Sequence, residues 1–281
     1  MEPLVFAAVL FAAACHAGWN AVAKIGLEPL ATMTLITLGA GVVALPLLVL
    51  FGAPAAASWP WLVASVIVHL VYFAALTEAY RAGDLGQVYP LARGAAPLMT
   101  ASLSPLFVGE LLGLIAWAGV TLLATGVLLL SFRGGRDLAR VDRRAVGFAL
   151  LTAVTICAYS IVDGIGARLS ENARGYSSWM FLGNALVMIA YAVMRLGGGV
   201  ITDMARFWRR GLAAGAMQFL SYSIALWAMT VAPIALVAAL RETSVLFGAA
   251  IAVVFLGEPL RIARAAAAAL IVIGLVAIRY Q

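Results

Sequence analysis

Residues 231–260 read VAPIALVAALRETSVLFGAAIAVVFLGEPL, an almost wholly apolar run that is long enough to cross a bilayer. Near its middle, however, stand Arg241 and Glu242. A charge at membrane depth costs about 2.5–3.5 kcal/mol on insertion scales, so such a residue normally faces a cavity or a partner. The stretch therefore predicts a membrane helix whose charged centre marks a functional pathway.

An earlier stretch repeats this helix. Residues 83–112 read GDLGQVYPLARGAAPLMTASLSPLFVGELL. An ungapped register between the two stretches aligns Arg93 with Arg241, Phe107 with Phe255, Gly109-Glu110 with Gly257-Glu258, Leu112 with Leu260 and Gly126 with Gly274. One charged membrane helix is therefore predicted to occur twice in the chain.

The composition excludes a soluble protein. The chain has 281 residues, of which 65% are hydrophobic and 11% charged, and its mean hydropathy is +1.07. Soluble domains have roughly 25% charged residues, so this chain could not cover a water-exposed surface. The net charge of +6 comes from basic residues in short loops and does not indicate a nucleic-acid partner. Cys15 and Cys157 both lie in apolar runs and form neither a disulfide framework nor a metal spacing.

Ten apolar stretches, each near the roughly 20 residues that a span needs, can be counted. They cover residues 3–24, 30–51, 59–81, 85–108, 111–132, 144–167, 175–195, 209–230, 233–256 and 261–279. The basic loop 133–143 divides them into five-span halves, 1–132 and 144–281. Because an odd number of spans reverses the insertion of the second half, we expect an all-α integral membrane protein of ten transmembrane helices in two inverted repeats.

The distribution of basic residues predicts the orientation. Thirteen of the 18 lysines and arginines follow odd-numbered spans, three follow even-numbered spans, and Arg93 and Arg241 lie within spans. Basic loops stay in the cytoplasm, so we expect both termini outside a bacterial-type inner membrane.

These features resemble the EamA branch of the drug/metabolite transporter superfamily. The resemblance covers the whole chain in plan, and its local marks are the two Gly-Glu pairs, the paired charged helices and the aromatic-rich first span ending in Lys24. The segments YRAGDLGQVYPLARG and ALRETS are similar to a subgroup sometimes associated with phosphonate use. The resemblance implies secondary transport of small metabolites, often amino acids, by alternating access. Many members look N-in, whereas the charge count here predicts N-out.

Arg93 and Arg241 are the first candidates for substrate contact. Arginine stays charged and offers a planar fork of donors that fits a carboxylate or phosphonate. The alternative is that either one pairs internally with Glu242 or Glu78 and only joins helices. Glu242 in turn could hold a substrate ammonium group or a coupling proton, or it could be the structural partner of Arg93.

Polar residues at helical spacing predict the rest of the cavity. His16, Asn20 and Lys24 share a face of span one, and Thr152, Thr155, Tyr159 and Asp163 share a face of span six. Spans three and eight add His69, Tyr72, Glu78, Gln218, Ser221, Tyr222 and Trp227. We therefore expect the substrate to contact Arg93, Arg241, Glu242, Trp19, Asn20, Tyr89, Tyr159 and Tyr222. The proton-coupling candidates are Glu78, Asp163 and His16, and the gate or turn candidates are Glu110 and Glu258.

Several of these residues have a structural alternative. Lys24 could extend to the interface, His16 could be a packing residue, and Asp163 could be exposed or paired with Arg168. Substrate contacts from spans three and eight could equally be helix–helix hydrogen bonds.

The sequence carries no HExxH, GxSxG, Walker or Cys/His motif, so we expect no enzyme, no metal and no cofactor. We expect a secondary transporter of a small amino acid-like metabolite bearing a carboxylate or phosphonate, driven by an ion such as H⁺ or by exchange. Its partners would be the solute and the bilayer, with a monomer sufficient and a dimer not excluded. The alternatives are a transporter of quaternary amines or other cationic or aromatic compounds, held by an aromatic cage, and a non-transporting membrane scaffold or sensor.

Overall fold

The computed structural model describes residues 1–22, 26–82, 85–131, 143–256 and 262–281, without the side chains of 80–82, 85–90, 131, 252, 255 and 256. These ranges form α-helices and a 3₁₀ turn, Ala56–Ser58. The helices are α1 (Pro3–Val22), α2 (Pro29–Phe51), α3 (Trp59–Ala82), α4 (Leu85–Phe107), α5 (Leu114–Ser131), α6 (Arg143–Leu169), α7 (Ala173–Leu196), α8 (Gly199–Ala205), α9 (Trp208–Val231), α10 (Ile234–Arg241), α11 (Ser244–Leu256) and α12 (Ile262–Arg279).

Eight segments in this part of the chain are long and apolar enough to cross a membrane, and Leu114–Leu130 is a shorter apolar helix. Large apolar side chains such as Val49, Leu114 and Ile262 are exposed on the outside of the bundle. In a bilayer these surfaces face lipid, because a helix satisfies its own backbone hydrogen bonds there. The chain is thus an all-helical, multi-pass membrane protein, while the count of ten spans and the inverted repeat stay predictions.

The predicted span 233–256 is not one continuous helix, and this part of the prediction was wrong. Helix α10 ends at Arg241, and α11 begins at Ser244. Across the break, the Glu242 N–H donates to the Ala239 carbonyl at 3.0 Å and the Thr243 N–H to the Leu240 carbonyl at 3.1 Å. The Thr243 hydroxyl donates to the same Leu240 carbonyl at 2.7 Å. A threonine that bonds its own backbone, together with bonds of three-residue spacing, tightens the helix locally and ends it.

Closely packed helix pairs build the bundle. Helix α5 packs on α12, α2 on both α7 and α9, α3 on α6, α1 on α9, and α4 on α6. Glycines permit the tightest crossings: a Cβ at Gly215 of α9 would lie 2.3 Å from the Ala40 nitrogen of α2. A Cβ at Gly274 of α12 would lie 2.7 Å from the Gly119 oxygen of α5. Small residues at such crossings are the usual means of joining membrane helices.

Candidate functional site

A small cavity lies among α1, α2, α3, α6, α7, α9 and α10. Its volume is about 40 Å³, which is room for about three water molecules. The predicted residues that line it are His16, Trp19, His69, Tyr72, Tyr159, Gln218, Ser221, Tyr222 and Arg241. The cavity is therefore polar at one wall, central in the bundle and, in this conformation, nearly filled by its own side chains.

Aromatic rings form one wall of the cavity. The His69 ring stacks on Tyr159 with centroids 4.6 Å apart and an interplanar angle of 21°. Tyr222 meets both rings edge-on, at 5.8 Å from His69 and 6.0 Å from Tyr159. Phe181 from α7 packs edge-on against Tyr222 at 6.2 Å. Edge-to-face and offset arrangements are the favoured geometries of such rings, so this wall is well packed and presents flat apolar surface to the cavity.

Arg241 is the cation of this cavity. It is the last residue of α10 and only 7% exposed, and its guanidinium carbon lies 4.5 Å from the centroid of the Tyr222 ring. In the described ranges its Nε has no hydrogen-bond partner and it forms no salt bridge. A buried charge without a counter-charge in contact is costly, so the position calls for an anion that the protein itself does not place there.

Two more unsatisfied polar atoms border the same cavity. The Trp19 Nε1 donor and the Gln218 Oε1 acceptor are both buried, and neither has a hydrogen-bond partner among the described residues. Buried polar groups are normally hydrogen-bonded, and clustered exceptions indicate a missing water or ligand. With Arg241, the cavity offers two N–H donors and one carbonyl acceptor to a bound molecule.

Arg93 has a different environment, although it aligns with Arg241 in the repeat. It is 2% exposed, and its Nε lies 2.6 Å from Oε2 of Glu242, which is 4% exposed. Its Nη2 donates to the Ser244 hydroxyl at 2.9 Å and to His16 Nε2 at 3.1 Å. Because an arginine N–H can only donate, His16 Nε2 must accept, and its ring proton resides on Nδ1. Arg93 and Glu242 thus pair with each other and do not line the cavity, which is the internal-pair alternative.

Asp163 is fully buried, at 0% exposure, and contacts the hydroxyl of Tyr222, the tyrosine whose ring Arg241 contacts. Its carboxylate accepts a short hydrogen bond from the Tyr222 hydroxyl and a second one, at 3.3 Å, from Tyr176. The alternative in which Asp163 is exposed or paired with Arg168 is wrong, because the turn of α6 that carries Asp163 faces α7 and α9. Tyr222 therefore contacts Asp163 through its hydroxyl and Arg241 through its ring.

Glu110 and Arg168 form a bridge at one end of the bundle. Glu110 Oε1 lies 2.5 Å from Arg168 Nη2, and Glu110 Oε2 accepts the Ile234 N–H at the start of α10, at 2.8 Å. Arg168 also donates to the carbonyls of Met229 at 2.8 Å and Ala232 at 3.1 Å. The carboxylate thus neutralises an arginine and caps a helix N-terminus at once, and it joins the first half of the chain to the second.

Comparison with known proteins adds the family. Residues 4–132 match the model of the EamA-like transporter family. The first half of the chain is thus similar to the EamA-like transporter family. The resemblance predicted from the Gly-Glu pairs and the charged helices is confirmed over these residues, and the family lies within the drug/metabolite transporter superfamily.

No curated protein matches the chain in sequence. Among 29 matching chains of solved structures, one crystal structure of a protein superposes with a TM-score of 0.70 at 18% identity. The match covers 98% of this EamA-like chain and 94% of the other chain. At this identity the likeness concerns the fold alone, and it extends over both halves.

Two further predicted site residues, Asn20 and Glu78, do not line the cavity. The Asn20 amide donates to the His16 carbonyl at 2.8 Å within α1. Glu78, part of whose side chain is exposed, lies 3.7 Å from Arg195 in a peripheral ion pair. Lys24, Glu258 and the Tyr89 side chain lie outside the described residues.

Four lining residues were not predicted: Thr37, Phe73, Phe181 and Asn184. The expected cavity used spans one, three, four, six, eight and nine, whereas the structure adds α2 and α7. Asn184 could have indicated that span seven lines the cavity, because it is the one amide side chain in the apolar run FLGNALVMIA and a buried amide needs a hydrogen-bond partner. Phe73 and Phe181 carry no signal that separates them from ordinary core residues.

Proposed function

We propose that this EamA-like protein is a secondary transporter of a small metabolite that carries a carboxylate or phosphonate, and that Arg241 binds this group in the central cavity. The observation that carries the proposal is the burial of Arg241 without an ion pair in the described part of the chain. Desolvating a guanidinium without a counter-charge lowers stability, and such a residue is retained where a ligand supplies the charge.

The surrounding atoms favour an amino acid-like molecule. A planar guanidinium binds two oxygens of a carboxylate or phosphonate in parallel, and the Trp19 N–H offers a further donor. The Gln218 oxygen could accept from an ammonium group on the same molecule. The ring wall of His69, Tyr159 and Tyr222 offers apolar contact for a side chain. Arg93 and Glu242, which pair together, are scaffold in this proposal.

The helix packing supports an inverted repeat of residues 1–132 and 144–281, joined by 133–143. If α1–α5 correspond to α6, α7, α9, α10–α11 and α12, several of the closest helix contacts have counterparts. The contact of α3 with α6 corresponds to that of α9 with α1, and α4 with α6 corresponds to α10 and α11 with α1. The pairs α5–α12 and α2–α7 correspond to themselves. Two equivalent halves around one cavity suit alternating access.

In the proposed cycle the Glu110–Arg168 bridge holds one end of the bundle closed. With both termini outside a bacterial-type inner membrane, that end is the outer one. Glu110 thereby takes the gate role expected of the first Gly-Glu pair. Opening would separate Glu110 from Arg168 and from the α10 N-terminus, so that α10 could move together with Arg241. Because the sequence has no nucleotide-binding motif, uphill transport would use an ion gradient or exchange.

A transporter of quaternary amines is the second candidate, favoured by the ring wall. In this conformation, however, the face of Tyr222 is already occupied by the Arg241 guanidinium at 4.5 Å. A second cation there would be repelled. The third possibility, a non-transporting scaffold or sensor, predicts no solute flux.

The test is a thermal-shift screen of the detergent-purified protein with amino acids, aminophosphonates, organic acids and quaternary amines. A ligand at 100 times its Kd stabilises the folded state by about 2.7 kcal/mol. We expect anions or zwitterions to stabilise the wild type and the surface control Arg209→Ala, but not Arg241→Ala. Stabilisation by cations alone, or by ligands that stabilise Arg241→Ala as much as the wild type, would contradict the anion site. The hit would then be tested for flux in liposomes, where a scaffold gives none.

A further inference from the structure

The buried charges in the part of the bundle that the structure describes balance one another. Four buried side chains in the described ranges carry a carboxyl or a guanidinium group: Arg93, Asp163, Arg241 and Glu242. Two positive and two negative charges give a neutral interior when both carboxylates are ionised. A bound anion adds one negative charge, and a low-dielectric interior strongly disfavours an uncompensated charge. A compensating positive charge must therefore enter with a net anionic ligand.

Tyr222 links the anion site to one of the two carboxylates. The guanidinium of Arg241 lies over the Tyr222 ring, and the Tyr222 hydroxyl donates a hydrogen bond to Asp163. In the empty protein, Asp163 and Arg241 thus contact the same tyrosine, while Glu242 is held at 2.6 Å by Arg93. A ligand anion at Arg241 therefore leaves Asp163 as the buried carboxylate that has no arginine beside it.

We infer that Asp163 binds one proton when a net anionic ligand binds Arg241, so that the protein takes up one proton for each net negative charge of the ligand. This inference rests on the proposed anion site. The step is a simple addition: a proton from water joins a carboxylate oxygen of Asp163, and the resulting acid keeps one oxygen to accept from tyrosine. A zwitterionic ligand adds no net charge and requires no proton.

The other titratable groups are engaged differently. Glu242 is held 2.6 Å from Arg93, and Glu78 pairs at the periphery with Arg195. His16 accepts from Arg93 at Nε2, so protonation there would break that bond. His69 is the competitor, because its Nδ1 donates to the Ser65 carbonyl at 3.0 Å and its Nε2 remains an acceptor.

Groups from every neighbouring helix face Asp163 or the tyrosine beside it. His69 on α3 and Tyr176 and Tyr222 on α7 and α9 interact with Asp163 directly, as does the Ser65 hydroxyl of α3. Arg241 on α10 acts on Tyr222, and Arg93 on α4 and Glu242 act on Tyr159. The neighbour of Asp163 that can carry a positive charge is thus His69, and Arg241 is linked to Asp163 through Tyr222, whose ring it contacts.

The test measures protons taken up on ligand binding, with a pH indicator in lightly buffered detergent solution. The probes are propionate, which is a net anion, and L-alanine, which is a zwitterion, and neither titrates near neutral pH. We expect wild type and the control Glu78→Gln to take up about one proton per propionate and none per L-alanine. Asp163→Asn should bind propionate without proton uptake. If one proton is taken up with propionate, the affinity of the wild type for propionate falls by up to about tenfold for each unit by which the pH rises. This pH dependence should disappear in Asp163→Asn.

Proton uptake that persists in Asp163→Asn, or its absence from wild type that binds propionate, would overturn the inference. Loss of uptake in His69→Gln with Asp163 intact would assign the proton to His69 instead. If wild type binds neither probe nor any hit of the screen, the proposed anion site itself fails.

A measurement on the empty protein keeps Asp163 testable even then. Asp163→Asn leaves Arg241 unbalanced and should lower the melting temperature by several degrees. Asp163→Asn combined with Arg241→Met should restore most of that loss. Equal losses in the single and double variants would show that Asp163 does not balance Arg241.

Discussion

Replacing Glu242 by glutamine should destabilise this protein severely, whereas replacing the cavity arginine should not. Glu242→Gln keeps the shape of the side chain but leaves Arg93 as a buried cation, 2% exposed, without its carboxylate. Arginine cannot release its proton to escape this situation. By contrast, Arg241→Met removes a cation that has no ion pair in the described residues, and the carboxylate that it leaves, Asp163, can neutralise itself by binding a proton.

The expected magnitude follows from the burial of the pair. Removing one partner of a buried ion pair costs about 3–5 kcal/mol, because the other charge remains desolvated. For a chain of this size each kcal/mol corresponds to roughly 2–4 °C, so the melting temperature of Glu242→Gln should fall by roughly 6–20 °C. Arg241→Met should change it by no more than about 1 kcal/mol, or roughly 2–4 °C.

The assay is thermal denaturation in detergent of wild type, Glu242→Gln, Arg93→Met, Arg241→Met and the double variant Arg93→Met/Glu242→Met. Replacing both partners of a buried pair by apolar residues is often neutral, so the double variant should recover most of the stability. It should also keep its stabilisation by anionic ligands, which Arg241→Met should lose. Equal melting temperatures for Glu242→Gln and Arg241→Met, or additive losses in the double variant, would refute the assignment of Arg93 to scaffold and Arg241 to ligand.

Three further predictions test the packing, the bridge and the tyrosine cluster. Gly215→Ala should lower the free energy of unfolding by about 1–3 kcal/mol, because its Cβ would lie 2.3 Å from the Ala40 nitrogen. The control Gly147→Ala, with nothing within 4 Å of its Cβ, should lose no stability. Equal melting temperatures of the two variants would contradict the close crossing of α2 and α9. Glu110→Gln should speed amide hydrogen exchange at Ile234 about fivefold, since the half-buried contact of the Glu110 carboxylate with that N–H is worth about 1 kcal/mol. The control Glu2→Gln should leave the exchange rate unchanged. An unaltered rate in Glu110→Gln would mean that Glu110 does not hold the start of α10. Tyr176→Phe should lower the free energy of unfolding by about 1–2 kcal/mol, because it removes a hydrogen-bond donor to buried Asp163. The surface control Tyr191→Phe should lower it by less than about 0.5 kcal/mol. Similar losses in the two variants would show that Tyr176 does not stabilise Asp163.

Apolar run length and glycine or proline separators predicted the positions of the helices well. The predicted span 30–51 corresponds to Pro29–Phe51, and 175–195 lies within Ala173–Leu196. Hydrophobicity cannot detect the break after Arg241, because that break arises from three-residue hydrogen bonds and from the Thr243 hydroxyl.

The candidate site was predictable where a charge or a polar stripe interrupted an apolar helix. His16, Trp19, Tyr159, Tyr222 and Arg241 were singled out in that way, and all line the cavity. Which arginine pairs internally could not be read from the sequence, since Glu242 is adjacent to Arg241 and far from Arg93 along the chain. Only the three-dimensional packing brings α4 beside the break between α10 and α11.

The different environments of the two arginines follow from one asymmetry in the repeat. The register that aligns Arg93 with Arg241 aligns Gly94 with Glu242, so the second half supplies a carboxylate that the first half lacks. A side chain at position 94 would require Leu128 of α5 to move, because a Cβ there would lie 2.5 Å from Cγ of Leu128. Position 242, by contrast, falls in the break between α10 and α11, where a side chain can reach across to Arg93. Glu242 thereby pairs with Arg93, and Arg241, which forms no ion pair in the described residues, lines the cavity.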